Sequence, residues 1–576
     1  MKSKSRRRFL SATAGITAGT LGWASLFRIP AASAQSTLAV PPGFPRSIPL
    51  YQRAFENWSG QIFVERVWTC APADATDVVT IVNWAHQNGY RLRAKGMGHN
   101  WSPLLLPNHA DVAKTVLVDT TVHLTEVRVN TAGAVKTVTA GAGTTMDRLL
   151  EQLEARGLGF AAIPSAGDLT VGGVLAVGAH GAAIRARGEA LVPGVGYGSL
   201  SNAILSLTAV VWDDAQKQYV LRTFGRDHPD MRAFLVHLGR TFVTEVTLQV
   251  ASNARVRCES WVDIPVGTVF APPASAGPHS LAALVEQAGR VEVIWFPFTA
   301  SPWIKVWSLA PNKPSLSREV RAPYNYPFAN MLDERVSDLI EGITAGNAGL
   351  TPILMNLFMV LAATGLTVTG ARDIWGWSKD VLLYVKPSTL RVGAAGYAVL
   401  TARSNVQRVV WEFYEEYRRR IAAYQAKGQF PMAGPIEIRV TGLDHAHEVQ
   451  MPAAQSPLLS SCRPRPDHPE WDTCVWFDIQ SIPAMPHADE FYSDLERWIW
   501  SNYSGHYATV RPNWPKGWGF SPASGWSDRT TLTRTIPDSF RAGQAKGDDW
   551  DTAVAILGAY DPNRIFSNAF LDTLFR

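Results

Sequence analysis

The sequence predicts an α+β protein of two domains, and three observations support this fold class. Of the 576 residues, 46% are apolar and only 18% are charged, which is typical of a well-packed globular chain. Short strands alternate with helices in residues 35–254, whereas residues 255–540 hold longer strands rich in Trp and Tyr. No G-x-G-x-x-G follows a predicted strand, so a Rossmann domain is not expected.

Residues 1–34 have the features of an export signal. Residues 5–10 are SRRRFL, an uncharged stretch covers residues 11–27, and ASA at residues 32–34 fits a cleavage site. This pattern predicts a twin-arginine signal peptide and a periplasmic or extracellular protein. A short membrane anchor is the alternative. Removal of the leader deletes six basic residues and no acid, so the net charge changes from +5 to −1 and no nucleic-acid partner is expected. The sequence shows no protein partner.

The first domain, residues 35–254, is predicted from alternating elements. An amphipathic helix is expected in VVTIVNWAHQNG and another in TMDRLLEQLEARG, which ends at Gly157. The segments RLRAKG, TVLVDT, VKTVTAGAG, AILSLTAVVWD and FVTEVTLQVA have the apolar and β-branched composition of strands. Glycine turns between them complete an α+β unit.

The second domain, residues 255–540, is predicted as an antiparallel sheet with helices on one face. Its expected strands are VEVIWFPFT, WIKVWSLA, PIEIRVTGL and CVWFDIQSI, and a long helix covers residues 406–428. The density of aromatic residues favours an apolar cavity. Residues 541–576 contain DPNRIFSNAFLDTLF, predicted as a helix that returns to the first domain.

Residues 349–368 form an uncharged, strongly apolar segment, GLTPILMNLFMVLAATGLTV. Pro352 and Asn356 disfavour a transmembrane helix. A buried core helix and a partly exposed apolar lid at the entrance of a water-insoluble substrate both remain open. The second interpretation would allow transient contact with a membrane surface without spanning it.

Two glycine-rich segments predict the main binding site. KGMGHNWS at residues 95–102 and PSAGDLTVGGVLAVGAHG at residues 164–181 let the backbone approach a flat, anionic ligand, such as a dinucleotide. A histidine inside the first segment is a possible covalent attachment point. The two segments, with GRTFVTEVTLQV at residues 239–250 and DPNRIFSNAF at residues 561–570, resemble the vanillyl-alcohol oxidase type of flavoprotein. With WFPFT, PIEIRVTG and the leader, the chain resembles the type II bacterial cholesterol oxidases, which bind FAD covalently.

The resemblance implies a set of FAD-binding residues. His99 matches the histidine joined to the flavin, although in many relatives this position only packs near the cofactor. The first segment would wrap the pyrophosphate with the backbone N–H groups of Lys95, Gly96, Met97, Gly98 and Asn100. The second segment would supply Asp168, Leu169, Thr170, Val171, Gly172, Gly173, Ala179, His180 and Gly181. A flavin contact near Val243 is a weaker expectation, because Arg240 and Thr241 replace the usual glycine-rich entry.

Glu437 and Arg439 are the first pair of predicted catalytic residues. They lie two apart on a strand, so both side chains point to one face. A surface ion pair would have the same sequence pattern. The resemblance instead places this pair at the flavin, where Arg439 would stabilise negative charge and Glu437 would handle protons or gate oxygen.

Glu292 is the third predicted catalytic residue. It lies in an otherwise apolar strand, where burial is expected to raise its pKa and make it a base. A solvated position on an edge strand is the alternative. Asp478, Asn513 and Lys516 are lesser candidates. The segment around Asn513 resembles an aldonolactone oxidase motif in which a histidine stands at that position.

Histidines and cysteines give weaker signals. His445 and His447 are favoured as a solvated loop rather than a metal site, because no partner has a fixed spacing from them. Cys462 and Cys474 flank a proline-rich loop, and the sequence leaves open a disulfide or two free thiols.

The resemblance implies a secreted FAD oxidase of 3β-hydroxysterols such as cholesterol. The products would be the 3-ketone, with the Δ5 double bond moved to Δ4, and hydrogen peroxide from O2. An aldonolactone, sugar or other polar-alcohol oxidase of the same fold is one alternative. An exported sterol-binding protein without catalysis is the other.

Overall fold

The computed structural model describes residues 38–190, 192–326, 334–384 and 391–576. The predicted leader lies outside these residues. In chain order the strands are β1 (Leu50–Glu56), β2 (Phe63–Cys70), β3 (Arg91–Lys95), β4 (Thr115–Asp119), β5 (Val127–Asn130), β6 (Lys136–Gly141), β7 (Leu158–Gly159), β8 (Ile204–Asp213), β9 (Gln218–Gly225), β10 (Phe242–Ser252), β11 (Arg255–Trp261), β12 (Arg290–Trp295), β13 (Trp303–Leu309), β14 (Arg318–Glu319), β15 (Asp373–Trp377), β16 (Gly393–Thr401), β17 (Ile436–Thr441), β18 (Thr473–Ser481) and β19 (Ala508–Pro512).

The α-helices lie between these strands and at the C-terminus. In chain order they are α1 (Ala75–Asn88), α2 (Met146–Glu154), α3 (Val171–Ala176), α4 (Met231–Phe234), α5 (Val266–Val269), α6 (Leu281–Ala288), α7 (Glu334–Thr344), α8 (Thr351–Val368), α9 (Ser378–Leu382), α10 (Val406–Gln425), α11 (Ala488–Asn502), α12 (Ile536–Arg541), α13 (Trp550–Tyr560) and α14 (Ala569–Leu574).

Two sheets form the N-terminal part of the chain. The first has the order β1-β2-β4-β3, with parallel pairing of β4 to β2 and β3. The second has the order β5-β6-β10-β8-β9, and β7 pairs with β10. Helix α1 starts earlier than its apolar periodicity indicated, because the Asp74 carboxylate accepts hydrogen bonds from the N–H groups of Thr76 and Asp77. It ends at Gly89, whose φ of 66° is left-handed.

The C-terminal part is built on a nine-stranded sheet of order β14-β15-β11-β13-β12-β17-β18-β16-β19. All of its pairs are antiparallel except β14 with β15. Helices α6 and α10 pack against strands of this sheet. Mostly antiparallel sheets with helices packed against them confirm the predicted α+β class.

Two predicted elements differ from the structure. The expected strand at residues 291–299 ends at Trp295, because the Thr299 N–H and hydroxyl both donate to the Phe296 carbonyl and close a turn. The expected C-terminal helix begins only at Ala569. The Asp561 carboxylate accepts from the N–H groups of Ile565 and Phe566 and holds the preceding segment as a turn.

The last segment of the chain contacts the first sheet. The Leu92 N–H donates to the Ile565 carbonyl at 2.8 Å, and Arg91 pairs with Asp572 at 2.7 Å. The Asn568 amide donates to three consecutive carbonyls of residues 103–105. These contacts bring residues 561–576 beside β3, which leads into the first glycine segment.

Candidate active site

A cavity of about 300 Å³ lies where the two glycine segments meet the nine-stranded sheet. The lining residues are Arg93, Ala94, Gly96, Met97, Gly98, His99, Asn100, Trp101, Leu104, Leu105, Pro164, Ser165, Ala166, Leu169, Thr170, Gly173, Val174, Ala176, Val177, Ala179, His180, Leu238, Gly239, Arg439, Asp478, Asn513, Pro515 and Lys516.

The first glycine segment lines the cavity with its backbone. Gly98 has a φ of 70°, and its carbonyl accepts from the Trp58 N–H at 2.8 Å. Within the described chain, the N–H groups of Met97, Gly98, His99 and Asn100 donate to no protein acceptor. Successive free N–H groups at a cavity form an anion-binding concavity. This arrangement fits the pyrophosphate of a dinucleotide.

Lys95 does not line the cavity. Its ammonium group donates to Asp119 at 3.0 Å and to the Gly96 carbonyl at 3.2 Å. The Lys95 side chain therefore links the C-terminal ends of β3 and β4. This corrects its predicted place in the cradle, which begins one residue later at Gly96.

Some residues of the second glycine segment line the cavity, and the others pack inside the protein. Leu169, Thr170, Gly173, Ala179 and His180 line the cavity. The other four predicted residues, Asp168, Val171, Gly172 and Gly181, are absent from the lining.

The positions of Val171, Gly172 and Gly181 correct the prediction. Val171 and Gly172 donate their N–H groups to the carbonyls of Thr144 and Ala142, and a Cβ on Gly172 would lie 2.9 Å from the Ala142 methyl. A Cβ on Gly181 would lie 2.6 Å from the Ile163 carbonyl. These glycines allow close protein packing, whereas Gly173 faces the cavity.

Val243 also lies away from the cavity, near the start of β10 and opposite Ala209. The predicted contact there is corrected to Leu238 and Gly239, just before the strand. Gly239 has a φ of 77°, and its carbonyl accepts from the buried Arg93 guanidinium at 2.7 Å. Leu238 is also left-handed, with a φ of 52°. The glycine at position 239, just before the strand, was the available sequence signal for this turn.

His99 is held between aromatic rings at the cavity wall. Its ring centroid lies 5.0 Å from that of Trp58 and 6.4 Å from that of Trp101. Burial lowers the pKa of His99 to about 4, and the Lys516 charge lowers it too, while Asp168 opposes this. The ring is therefore neutral at physiological pH, with a nitrogen lone pair available for bonding.

Arg439 is the centre of a charged network across the cavity, here called the charged wall. Arg439, Asp478 and Lys516 line the cavity, whereas Glu292, Glu437 and Lys305 lie behind them. Its guanidinium donates to Glu292 at 2.7 Å, to Glu437 at 2.5 Å and to Asp478 at 2.9 Å. Sheet register produces this contact, because Glu292 stands opposite Arg439 and Glu437 stands opposite Asp478 on neighbouring strands. The pair on PIEIRV is thus part of a buried network rather than a surface ion pair.

Glu292 does not have the raised pKa that burial alone predicted. Burial does raise it, but Lys305 at 3.1 Å and Arg439 lower the pKa of Glu292 to about 2. The carboxylate is ionised and strongly paired. This corrects its expected role as a base with a high pKa, because two cations outweigh the cost of desolvation.

Asp478 connects Arg439 to the other end of the charged wall. Asn513 donates to it at 2.9 Å, and Lys516 lies 3.8 Å away. Burial raises the pKa of Asp478, but Lys516, Arg439 and His180 together hold it below its usual value. The Lys516 ammonium also lies 3.6 Å from the Trp101 ring centroid. The lesser candidates of the sequence thus line the cavity beside Arg439.

His180 closes the corner between the two walls. Its ring stacks on Trp476 with centroids 3.5 Å apart, and Nδ1 lies 2.9 Å from the Gly181 carbonyl. Burial lowers the pKa of His180 to about 4. A neutral ring stacked on Trp476 fits a packing role at the cavity.

An aromatic cluster of Trp303, Trp307 and Tyr326 was not predicted from the sequence. The Lys305 ammonium lies 4.5 Å from the Trp303 ring centroid and 5.0 Å from that of Tyr326. Trp303, Lys305 and Trp307 alternate along β13 and so share one face. This W-x-K-x-W pattern was the available signal.

The His445 and His447 rings lie 5.0 Å apart on a loop. Within the described ranges, no group of three or more His, Cys, Asp and Glu residues is arranged to hold a metal ion. Cys462 and Cys474 are both buried free thiols. Helix α8 passes the length and composition test for a membrane span, yet a third of its apolar window is buried inside the protein.

Residues 255–576 match the family described as "Cholesterol oxidase, substrate-binding", and residues 68–214 match a FAD binding domain. The chain belongs to the cholesterol oxidase family. Its members are FAD-dependent oxidoreductases that act on a sterol hydroxyl, and the predicted family, fold, cofactor and enzyme class are confirmed.

Solved structures of this family align with nearly the whole chain. A solvent-stable cholesterol oxidase is 51% identical with a TM-score of 0.92, covering 93% of this chain and 100% of its own. Cholesterol oxidase from Brevibacterium sterolicum is 43% identical with a TM-score of 0.92, covering 94% of this chain and 100% of its own. A histidine-to-alanine variant of that enzyme aligns equally well. A long-chain alcohol oxidase of an uncultured marine euryarchaeote is 24% identical over 193 residues, about a third of each protein.

Proposed function

We propose that this protein oxidises the C3 hydroxyl of a 3β-hydroxysterol to the ketone and moves the Δ5 double bond to Δ4. The observation that carries the proposal is the position of Arg439. It lines the cavity beside the glycine segments and is joined through Glu292 and Lys305 to the aromatic cluster. The cavity beside the glycine segments, where redox chemistry would occur, is thus next to the aromatic cluster that would bind an apolar substrate.

The cavity wall formed by the two glycine segments would hold FAD. The free N–H groups of residues 97–100 would bind the pyrophosphate, and Gly173 leaves room for the cofactor on the second segment. When bound, FAD supplies hydride acceptance and electron transfer to O2, giving hydrogen peroxide. We propose His99 as the covalent attachment residue, since its neutral ring lies in the same wall.

The charged wall would orient the sterol hydroxyl and manage protons. Three carboxylates face three cations, Arg439, Lys305 and Lys516, so the wall carries no large excess of charge. Glu437 has a single cation partner among the described residues, whereas Glu292 has two and a pKa of about 2. Glu437 is therefore the better placed proton acceptor. Arg439 would stabilise negative charge that develops during the reaction.

The aromatic cluster would hold the apolar substrate. Trp303, Trp307 and Tyr326 are buried, and they belong to one cluster with Cys258 and Ile294. These rings do not line the cavity themselves, but a buried aromatic cluster joined to its charged wall suits the binding of a rigid polycyclic alcohol. A sugar or lactone would leave its hydroxyl groups unpaired against such a cluster.

A substrate panel tests the proposal. Peroxide formation should be faster with cholesterol than with gulonolactone or simple alcohols, and Glu437→Gln should lower turnover while FAD content stays unchanged. Faster turnover of the polar compounds would support the sugar or lactone alternative. Binding of sterol without peroxide formation would support a sterol-binding protein.

The covalent bond has a separate test. Yellow colour should remain with the wild-type protein after acid precipitation and leave the pellet in His99→Ala. Flavin released by acid from the wild type would refute the covalent link without affecting the substrate assignment.

We also propose that the protein is exported in folded form by the twin-arginine route. The SRRRFL motif and the ASA sequence at residues 32–34 support this. Replacement of Arg7 and Arg8 by Lys should leave folded, flavin-loaded enzyme in the cytoplasm. Unchanged export of that variant would contradict the proposal.

A further inference from the structure

Glu496 is a buried carboxylate that has no role in the proposed reaction. It lies on α11 and is 3% exposed. Among the residues that the structure describes, no lysine, arginine or histidine pairs with it. A buried carboxylate without a cation is costly unless hydrogen bonds satisfy it. The partners of Glu496 therefore indicate what this carboxylate does in the fold.

Two of these partners are consecutive backbone N–H groups in the segment that follows β19. The Gly519 N–H donates to Oε1 of Glu496 at 2.9 Å, and the Phe520 N–H donates to Oε2 at 2.8 Å. The Trp500 indole, one turn further along α11, donates to Oε1 at 3.2 Å. Burial raises the pKa of Glu496 to about 7, and these hydrogen bonds oppose that rise. Each carboxylate oxygen thus holds one N–H group of the segment.

The same segment, residues 513–520, carries Lys516 to the cavity, and it is anchored on two sides. On one side β16 holds it, because the Gly517 N–H donates to the Ala394 carbonyl at 2.7 Å and the Gly396 N–H donates to the Gly517 carbonyl at 2.9 Å. The chain then turns at Gly519, whose φ is 64°. On the other side the only charged anchor among the described residues is the carboxylate on α11.

We propose that Glu496 is a positioning residue that holds Lys516 at the cavity by anchoring the 513–520 segment. This rests on the proposed function, because Lys516 would act in the charged wall beside the sterol hydroxyl. The Lys516 ammonium lies 3.6 Å from the Trp101 ring centroid and 3.8 Å from Asp478. A displacement of about 1 Å is enough to misplace a group for catalysis. Glu496 does not line the cavity, so it acts only through the segment.

A double-mutant cycle tests this coupling. Glu496→Gln keeps the size of the side chain but turns an amide donor toward one of the two N–H groups, so sterol turnover should fall about tenfold. Lys516→Met removes the ammonium group. In that background Glu496→Gln should cause less than about a twofold further loss, because the group that it positions is already gone. The same fold-loss in both backgrounds would overturn the proposal.

Two further variants distinguish positioning from a general loss of stability. Glu496→Asp retains two acceptor oxygens and should turn over faster than Glu496→Gln at a pH above the pKa of Glu496. Glu416→Gln is the matched control, since Glu416 is 8% exposed on the neighbouring helix α10 and pairs with Arg419 and Arg420. It should lose stability but keep its turnover per bound flavin. An aspartate variant no better than the glutamine variant, or a slow Glu416→Gln, would overturn the proposal.

The midpoint potential of the bound flavin gives a measurement without sterol. A cation that lines the cavity favours the reduced, more negative flavin, so Lys516→Met and Glu496→Gln should each lower the potential of the holoenzyme. The double variant should fall no lower than Lys516→Met. A potential that Lys516→Met lowers and Glu496→Gln leaves unchanged would overturn the positioning role. A wild type that oxidises no sterol but shows the expected potentials would refute the proposed function alone.

Discussion

The two walls of the cavity are built in different ways. The wall on the N-terminal part is made of backbone, with glycines and free N–H groups in residues 96–100. The wall on the nine-stranded sheet is made of side chains. Arg439 of β17 and Asp478 of β18 line the cavity, and Glu292, Glu437 and Lys305 pair behind them. The backbone wall should therefore be sensitive to added side-chain volume, and the charged wall should be sensitive to changes in charge.

Removal of the central cation should have the largest effect. Arg439→Met leaves the buried Glu292 and Asp478 and the half-buried Glu437 without their shared cation, which should cost about 3–5 kcal/mol of unfolding free energy. Urea denaturation measures the loss. Arg418→Met removes an exposed arginine paired with Glu415 on α10 and should change stability by less than about 1 kcal/mol. Equal, small losses in both variants would contradict the charged-wall description.

Added volume at Gly96 should disturb the backbone wall. A Cβ there would overlap the Thr170 hydroxyl, so Gly96→Ala should cost about 1–3 kcal/mol and lower FAD content. Thr170→Ala removes that oxygen and should restore part of both in the double variant. Gly267→Ala, where a Cβ would meet nothing within 4 Å, serves as the control. A double variant no better than Gly96→Ala would contradict the close contact between the two segments.

The charged wall also predicts a pH dependence. Because the pKa of Glu292 is depressed to about 2 from 4.5, its stabilising contribution is present above about pH 4.5 and is lost as the pH falls toward 2. Glu292→Gln should therefore lose less stability than the wild type over this interval. Denaturant unfolding at a series of pH values compares the two proteins. If the unfolding free energies of both proteins changed in parallel with pH, the pKa of Glu292 would not be depressed.

The smallest expected effect is at Gly396, opposite Asp478 on β16. A Cβ there would lie 2.6 Å from the Lys516 Cβ and 3.0 Å from the Asn513 Cβ. Gly396→Ala should cost only about 1 kcal/mol of stability but lower turnover, because both side chains move away from Asp478. Gly393→Ala on the same strand meets only the Gln61 amide and is the control. Full activity in Gly396→Ala would exclude a role for the Lys516 position.

Local motifs carried most of the prediction for the backbone wall. The spacing of Gly96, Gly98 and Gly173 predicted a close backbone approach, and these three residues line the cavity. The same motif could not distinguish Gly172, which packs on Ala142, from Gly173, which faces the cavity. Two adjacent glycines are equivalent in a sequence until the neighbouring strand is placed. Val243 was misassigned because the residues that reach the cavity, Leu238 and Gly239, precede strand β10.

The sequence by itself determined the α+β class, the glycine cradle and the pairing of Glu437 with Arg439 on one strand face, because these depend on residues close in the chain. Only the tertiary structure decided that Glu292 is ionised and that Trp303, Trp307 and Tyr326 surround its partner Lys305. Strand register places Lys305, Glu292 and Arg439 side by side, and their mutual charges outweigh the desolvation of Glu292. That balance depends on distances across the sheet, which no local pattern contains.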